Sequence, residues 1–246
     1  MKLLNIAAVV DIGVVRKKND DRALIGNQVL DGGACELQLS SDEALIAVSD
    51  GVGGNAGGHI CSQLVLEQLK ALLSPGASLA EVNAAVARIN QSVLEKQRIM
   101  PEFSEMAATL VAAFVSGERL LICNAGDSRA YRLRRGRLTQ LSFDHTRYNE
   151  LPGMFEAADH RDHTITRYMG KKDGVEAYAT DDVGDMYPGD VLLLCSDGLY
   201  DGVQEDQMRQ LLNRKEPVSA LCHELVEMAK QQGSTDNISV VVLRKE

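Results

Sequence analysis

Four aspartates stand where apolar runs give way to loops. Asp50 and Gly51 close the run from Ala44 to Ser49, and Asp127 follows Leu121 to Gly126. Asp197 and Gly198 close Val191 to Ser196, and Asp236 with Asn237 directly precedes Ile238 to Val242. A strand sends alternate side chains to opposite faces, so carboxylates at the ends of neighbouring strands can meet at one sheet edge while apolar residues fill the core behind. Such a gathering of like charge is unfavourable until cations join it. Oxygen-only ligation suits hard ions such as Mg²⁺ or Mn²⁺, and the chain has no spaced thiolates or paired imidazoles of the kind a zinc site uses. Taken singly, each aspartate reads more readily as a turn residue, because Asp-Gly is among the commonest turn dipeptides. The metal reading rests on the set.

The elements that must position this set are short β-like runs: Ile6 to Val10, Leu45 to Val48, Thr109 to Val115, Leu120 to Asn124, Ala130 to Leu133, Val191 to Cys195 and Ile238 to Leu243. Each is closed by Asp, Gly or another polar turn former. Helical periodicity fills the gaps. It runs from His59 to Leu73 and from Leu79 to Ile99, with Pro75 and Gly76 between them, then from Glu205 to Leu212 and from Val218 to Gln231, broken by Pro217. This order of strands, helices, strands, helices and a last strand predicts an α+β fold with helices covering antiparallel sheets. No linker, low-complexity tract or repeat divides the chain, so residues 1–246 are expected to form a single domain.

The formal net charge of -9 argues against a nucleic-acid partner, which would require a basic footprint. The five cysteines are odd in number and widely scattered, which fits a reducing, cytoplasmic setting. The apolar run Leu3 to Val10 is read as a first strand and not a secretion signal, because Asp11 stands where small cleavage-site residues would be needed. No stretch approaches the ~20 apolar residues of a membrane-spanning helix. The chain also lacks a heptad or extended apolar stripe, so a monomer is expected.

Five segments occur in fixed order: Asp11, Gly13, Arg16, Asn19, Asp20 and Asp21; Val48 to Gly54; Asn124 to Arg129; Leu194 to Asp201; and Ser234 to Ser239. Together they resemble the PP2C-type, metal-dependent serine/threonine protein phosphatase family in its compact bacterial form, over essentially the whole chain. Supporting matches are Ala107 to Leu110, the turn Asp144, His145 and Thr146, and the segment Ile165 to Gly170. The resemblance implies a central sandwich of two antiparallel sheets flanked by helices. It also implies two or three divalent cations, Mn²⁺ or Mg²⁺, and phosphorylated proteins as substrates, opposed by a cognate serine/threonine kinase.

Position by position, the resemblance makes Asp50 the carboxylate that bridges two metals, with the Gly51 carbonyl adding a ligand. Asp197 and Asp236 complete the first site and Asp20 serves the second. Asp21 orients metal-associated water, while Asp127 with Asp197 forms a weaker third site. Hydroxide made available by two cations then attacks phosphorus in line, without a phosphoenzyme. Arg16 is the phosphate clamp, since a guanidinium grips two phosphate oxygens and stays charged; otherwise it is a solvated member of the basic run Arg16 to Lys18.

Two departures stand out. Asp20 replaces the commoner glutamate and is one methylene shorter. Val52 stands where eukaryotic members carry a proton-donating histidine, so the acid must come from elsewhere; His59 is one candidate, whereas His145 is expected to stabilise its turn. The stretch Gly53 to Gly58 lacks the endings of nucleotide-binding loops. Arg147 to His163 resembles the flap of bacterial members. Two other functions compete with the phosphatase reading: a catalytically silent regulatory relative, and a hydrolase of small phosphoesters.

Overall fold

The computed structural model describes residues 3–52, 57–150 and 164–246. The glycine-rich positions 53–56 and the flap positions 151–163, including Glu156 and His160, lie outside the described residues.

Two six-stranded antiparallel sheets face one another. The first runs in the order Arg137–Gln140, Arg129–Arg134, Val191–Cys195, Ile238–Lys245, Leu4–Asp11, Gly33–Leu39. The second runs Tyr178–Thr180, Arg119–Ala125, Leu110–Ser116, Glu43–Ser49, Arg22–Ile25, Gln28–Leu30. Aliphatic side chains on alternate positions of both sheets, among them Ile6, Ala8, Ile46, Val48, Val111 and Val241, interdigitate in a dry layer between them.

Each outer face carries a helix pair. Gly58–Leu72 and Leu79–Ile99 cover the second sheet through Val65, Leu69, Val86 and Ile89, while Glu205–Leu212 and Val218–Gln231 cover the first through Met208, Leu221, Leu225 and Val226. The expected α-β-β-α layering is therefore observed, and three of the four long helices begin and end where periodicity placed them. The start at Leu79 is fixed chemically: Ser78 Oγ accepts from the Glu81 amide while the Glu81 carboxylate accepts from the Ser78 amide, a reciprocal cap.

Register brings the site-bearing ends to one end of the sandwich. In the first sheet Asp11 pairs with Ile238 and Arg129 with Cys195. In the second, Arg22 pairs with Ser49 and Leu110 with Ala125. Antiparallel pairing alternates strand starts and strand ends along an edge, so eight termini line up there, each continuing into a candidate site segment. The run from Leu4 to Asp11 forms the first strand, as expected, and is paired on both sides. Among the described residues no helix is long and apolar enough to cross a membrane.

Candidate active site

Asp50 follows strand Glu43–Ser49, and Thr109 holds it from both sides. The Thr109 amide donates to the Asp50 carbonyl at 2.8 Å, and Thr109 Oγ1 accepts from the Asp50 amide at 3.0 Å. Thr109 Oγ1 also lies 2.7 Å from Ser128 Oγ, tying Asp50 to the segment that carries Asp127. A carboxylate on a frame bonded this densely cannot retreat from its neighbours. Gly51 then pairs with Ala108 and presses on Gly58 at the start of the first helix, where a Cβ on Gly51 would sit 2.4 Å from the Gly58 carbonyl carbon.

The loop from Ile12 to Asp21 is stapled by Asn237. Its Nδ2 donates to the carbonyls of Ile12 and Lys18, both at 2.9 Å, and its Oδ1 accepts from the Asp20 amide at 2.9 Å. Arg22 fastens the far end, donating to the carbonyls of Asn19 at 3.0 Å and Asp21 at 2.6 Å and to Gln63 Oε1 at 2.9 Å. Held this way, the loop delivers three side chains to the site. Arg16 Nη2 meets Asp236 Oδ2 at 2.5 Å. The Asp20 carboxylate accepts from the His59 amide at 3.0 Å, at the first turn of its helix, and the His59 ring Nδ1 is 3.4 Å from the same oxygen. Asp21 Oδ2 accepts from Ser196 Oγ at 2.7 Å, and Ser196 Oγ in turn accepts from the Ser239 amide at 3.0 Å.

Electrostatics bind the carboxylates into one group. Burial, then the negative charges of Asp21, Asp197, Asp127 and Asp236, push the Asp50 carboxyl well above the usual carboxylate range. Asp197 is raised in the same way, by burial and then by Asp127, Asp236 and Asp21. Asp21 is pushed up to about 6 by burial, opposed by hydrogen bonds from Ser196 and Ser239 and a contact with Asp50. Buried like charges raise one another's proton affinity because each disfavours the ionised form of the next. Arg16 lies at the cluster's edge, its own proton affinity raised by the bond to Asp236.

Asp127 has its own support. Tyr200 Oη donates to the Asp127 carbonyl at 3.1 Å, and the Arg129 guanidinium stacks 3.7 Å from the Tyr200 ring while gripping Asp144 Oδ2 at 2.9 and 2.7 Å. His145 is fully buried; its Nδ1 accepts from the Gly126 amide at 3.3 Å, and burial together with the charge of Arg167 pulls its pKa down to about 4. It is the turn-stabilising residue that was expected.

The donor set is all oxygen, which fits hard divalent cations. Among the described residues no group of three or more His, Cys, Asp and Glu side chains is arranged to hold a metal ion as it stands. Asp236 is engaged by Arg16 through Oδ2, and Asp20 by the helix N-terminus through Oδ1. Four of the five cysteines, Cys61, Cys123, Cys195 and Cys222, are buried, and burial pushes their thiols up, which keeps these four from competing with carboxylate chemistry.

All the sequence-derived residues, Arg16, Asp20, Asp21, Asp50, Gly51, Asp127, Asp197 and Asp236, come to one end of the sandwich. Asp197 differs in local setting: it opens the short helix Asp197–Tyr200 and does not extend the strand. Sequence reading gave no role to Thr109, Ser196, Asn237 or Arg129. The available signal was small polar residues breaking apolar runs at the same strand ends.

A family model described as protein phosphatase 2C matches residues 31–241, a span that includes Asp50, Asp127, Asp197 and Asp236. Over 248 aligned residues the chain is 35% identical to the serine/threonine protein phosphatase PstP of Mycobacterium tuberculosis, covering 98% of this chain but 45% of that protein. The chain thus spans less than half the length of that relative. Two solved structures share the fold. One is the catalytic domain of PstP in complex with two manganese ions (TM-score 0.80, 32% identity, 100% and 99% of the two chains covered). The other is PppA, described as a key regulatory component of T6SS in Pseudomonas aeruginosa (TM-score 0.81, 29% identity, both chains fully covered). With the matched span covering most of the sequence and the carboxylates gathered at one edge of a two-sheet sandwich, the chain belongs to the protein phosphatase 2C family.

Proposed function

We propose that this chain is a metal-dependent phosphatase that removes phosphate from phosphoserine and phosphothreonine in proteins, acting as one catalytic domain in the cytoplasm opposite a serine/threonine kinase, and as a monomer. The observation that carries this reading is the gathering of Asp21, Asp50, Asp127, Asp197 and Asp236 at one end of the sandwich, where burial and neighbouring negative charge raise the proton affinity of Asp21, Asp50 and Asp197, with Arg16 at the rim.

Asp50 would serve two cations, and the Gly51 carbonyl would add a ligand to the second. Asp197 and Asp236 would complete the first site, Asp20 would serve the second, and Asp127 with Asp197 would hold a third. When bound, Mn²⁺ or Mg²⁺ supplies positive charge against the phosphoryl oxygens and lowers the pKa of water so that a nucleophile is available near neutral pH. Asp21, fixed by Ser196, orients water at the cluster, and Arg16 grips the phosphate through two donors of one planar group. Neither Val52 nor His145 gives the leaving oxygen its proton: the first has none, and the second is buried and neutral.

Hydrolysis of p-nitrophenyl phosphate and of a phosphothreonine peptide, each with Mn²⁺, Mg²⁺ or EDTA, tests the reading. Metal-dependent turnover of both is expected, with the peptide favoured in kcat/KM. Turnover that survives EDTA, or none with any cation, would refute it, and a preference for small phosphoesters over every peptide would favour a small-molecule hydrolase.

A further inference from the structure

A groove of about 660 Å³ opens beside the carboxylate cluster, bounded at its inner end by Val52 and Ala107 and farther out by Tyr168, Lys171 and Lys172. It is continuous, through Gln97, Ser104 and Lys172, with a hollow of about 420 Å³ that also takes in Leu94 and Arg98. The wall is rigidly built. Buried Gln97 donates Nε2–H to the carbonyls of Met106 at 2.9 Å and Gly170 at 3.2 Å. Buried Asn90 accepts from the Gly170 amide at 2.7 Å and donates to the Lys171 carbonyl at 3.0 Å. The segment bearing both lysines is thereby fixed to helix Leu79–Ile99.

Distance along this wall follows from pairing. Gly51 pairs with Ala108, and Ala108 exchanges two backbone hydrogen bonds with Met169. Two strand spacings put Met169 roughly 10 Å from Gly51. Lys172 is three residues further on, adding at most about 10 Å. A substrate in extended form covers that span in roughly three to six residues.

Charge singles out the hollow. The main groove mixes Lys171 and Lys172 with Glu105 and Asp173, and the Lys171 ammonium is already bonded to the Thr166 carbonyl at 2.7 Å. The hollow is lined by two cations, Arg98 and Lys172, and by no carboxylate. Among the described residues neither cation makes an ion pair, on a chain whose net charge is -9. The carboxyl end of helix Leu79–Ile99 opposes them with only about half a negative charge. A single carboxylate is therefore attracted on balance.

From this we infer that the hollow between Arg98 and Lys172 takes the side-chain carboxylate of an aspartate or glutamate lying three to six residues from the phosphorylated residue. The site thereby selects phosphoproteins with an acidic flank. This rests on the phosphatase reading above and adds a substrate class to it.

The test uses phosphothreonine peptides identical except for Asp, Ala or Lys at each position three to six residues to either side. The wild-type protein is compared with the Arg98→Glu/Lys172→Glu double variant and, should that fold poorly, with Lys172→Gln. Each peptide kcat/KM is read as a ratio to that for p-nitrophenyl phosphate on the same preparation. Wild type should favour Asp over Lys on one flank by about two- to fivefold, through KM and not kcat, and 0.5 M salt should erase the preference. The double variant should lose or reverse it. Equal rates on all peptides, or a preference that survives the charge reversal, would overturn the assignment while leaving the phosphatase reading intact. Absence of turnover on every substrate would remove both.

Discussion

The guanidinium of Arg16 lies 2.5 Å from the carboxylate of Asp236, across 220 positions of sequence. The proposed phosphate clamp and a proposed metal ligand thus share one point at the rim of the cluster. Replacing Arg16 by alanine removes a charged bidentate donor, whose hydrogen bonds are each worth about 1.5–3 kcal/mol. Arg16→Ala should lower kcat/KM on a phosphopeptide by about ten- to a hundredfold, while Arg16→Lys should recover only part of the loss. Steady-state kinetics at saturating Mn²⁺ check this; wild-type kcat/KM in Arg16→Ala would remove Arg16 from the site.

Burial, and then the negative charges of Asp21, Asp197, Asp127 and Asp236, push the Asp50 carboxyl well above the ordinary range. A folded-state pKa above the unfolded one means that the ionised form costs stability at neutral pH. In EDTA, Asp50→Asn should therefore melt higher than wild type by about 2–4 °C, the shift that ~1 kcal/mol produces in a domain of this size. With Mn²⁺ the order should reverse, because wild type gains binding energy that the variant cannot, and the variant should be inactive. Thermal melts with and without metal decide it. A variant less stable than wild type in EDTA would show that the carboxylate is not under repulsive stress.

Asn237 fastens the Arg16 loop with three hydrogen bonds to main-chain groups. Asn237→Ala leaves those groups without partners, at roughly 2–4 kcal/mol in stability by the usual cost of unsatisfied buried polar groups. The loop it releases carries both Arg16 and Asp20, so activity should fall at least tenfold even where the protein remains folded. Urea denaturation paired with phosphopeptide kinetics would measure the two losses separately.

His145 is neutral in the folded protein, its pKa lowered from 6.5 to about 4. In the unfolded chain it takes up a proton near the ordinary value, so its contribution is present above about pH 6.5 and is lost as pH falls towards 4. The full effect is about 3 kcal/mol. Between pH 7 and 4.5 in EDTA, the stability of wild type should decline more steeply than that of His145→Asn. Parallel slopes in urea titrations would contradict this placement of the imidazole.

Much of this was legible before any coordinates, and the reason is physical. Apolar runs such as Val191 to Cys195 are buried on both faces and read as strands without help, and helix Leu79–Ile99 carries its own cap in Ser78 and Glu81. Strand Arg22–Ile25 is four residues long and follows a charged turn, so no window of sequence isolates it. Gly33–Leu39 was missed although Cys35, Leu37 and Leu39 alternate with polar neighbours at the period of an edge strand. The aspartates announced themselves through Gly and strand ends. Their supports did not, because Asn237 finds Ile12 and Lys18, and Thr109 finds Asp50 and Ser128, only through pairing between distant segments.

Gly13 and Gly198 close on the two residues before the last strand from opposite sides: a Cβ on either would come within 2.1 Å of the Asp236 carbonyl oxygen or 2.0 Å of that of Asn237. During synthesis the ribosome makes Asp50 before Asp236, roughly 10–40 s apart at about 5–20 residues per second. Throughout that interval strand Leu4–Asp11 has an open edge where Ile238–Lys245 will dock, an apolar template for stray pairing. A nascent or clipped polypeptide that lacks this strand is therefore expected to be inactive and prone to aggregate, because the site is complete only when the strand lies between the two glycines.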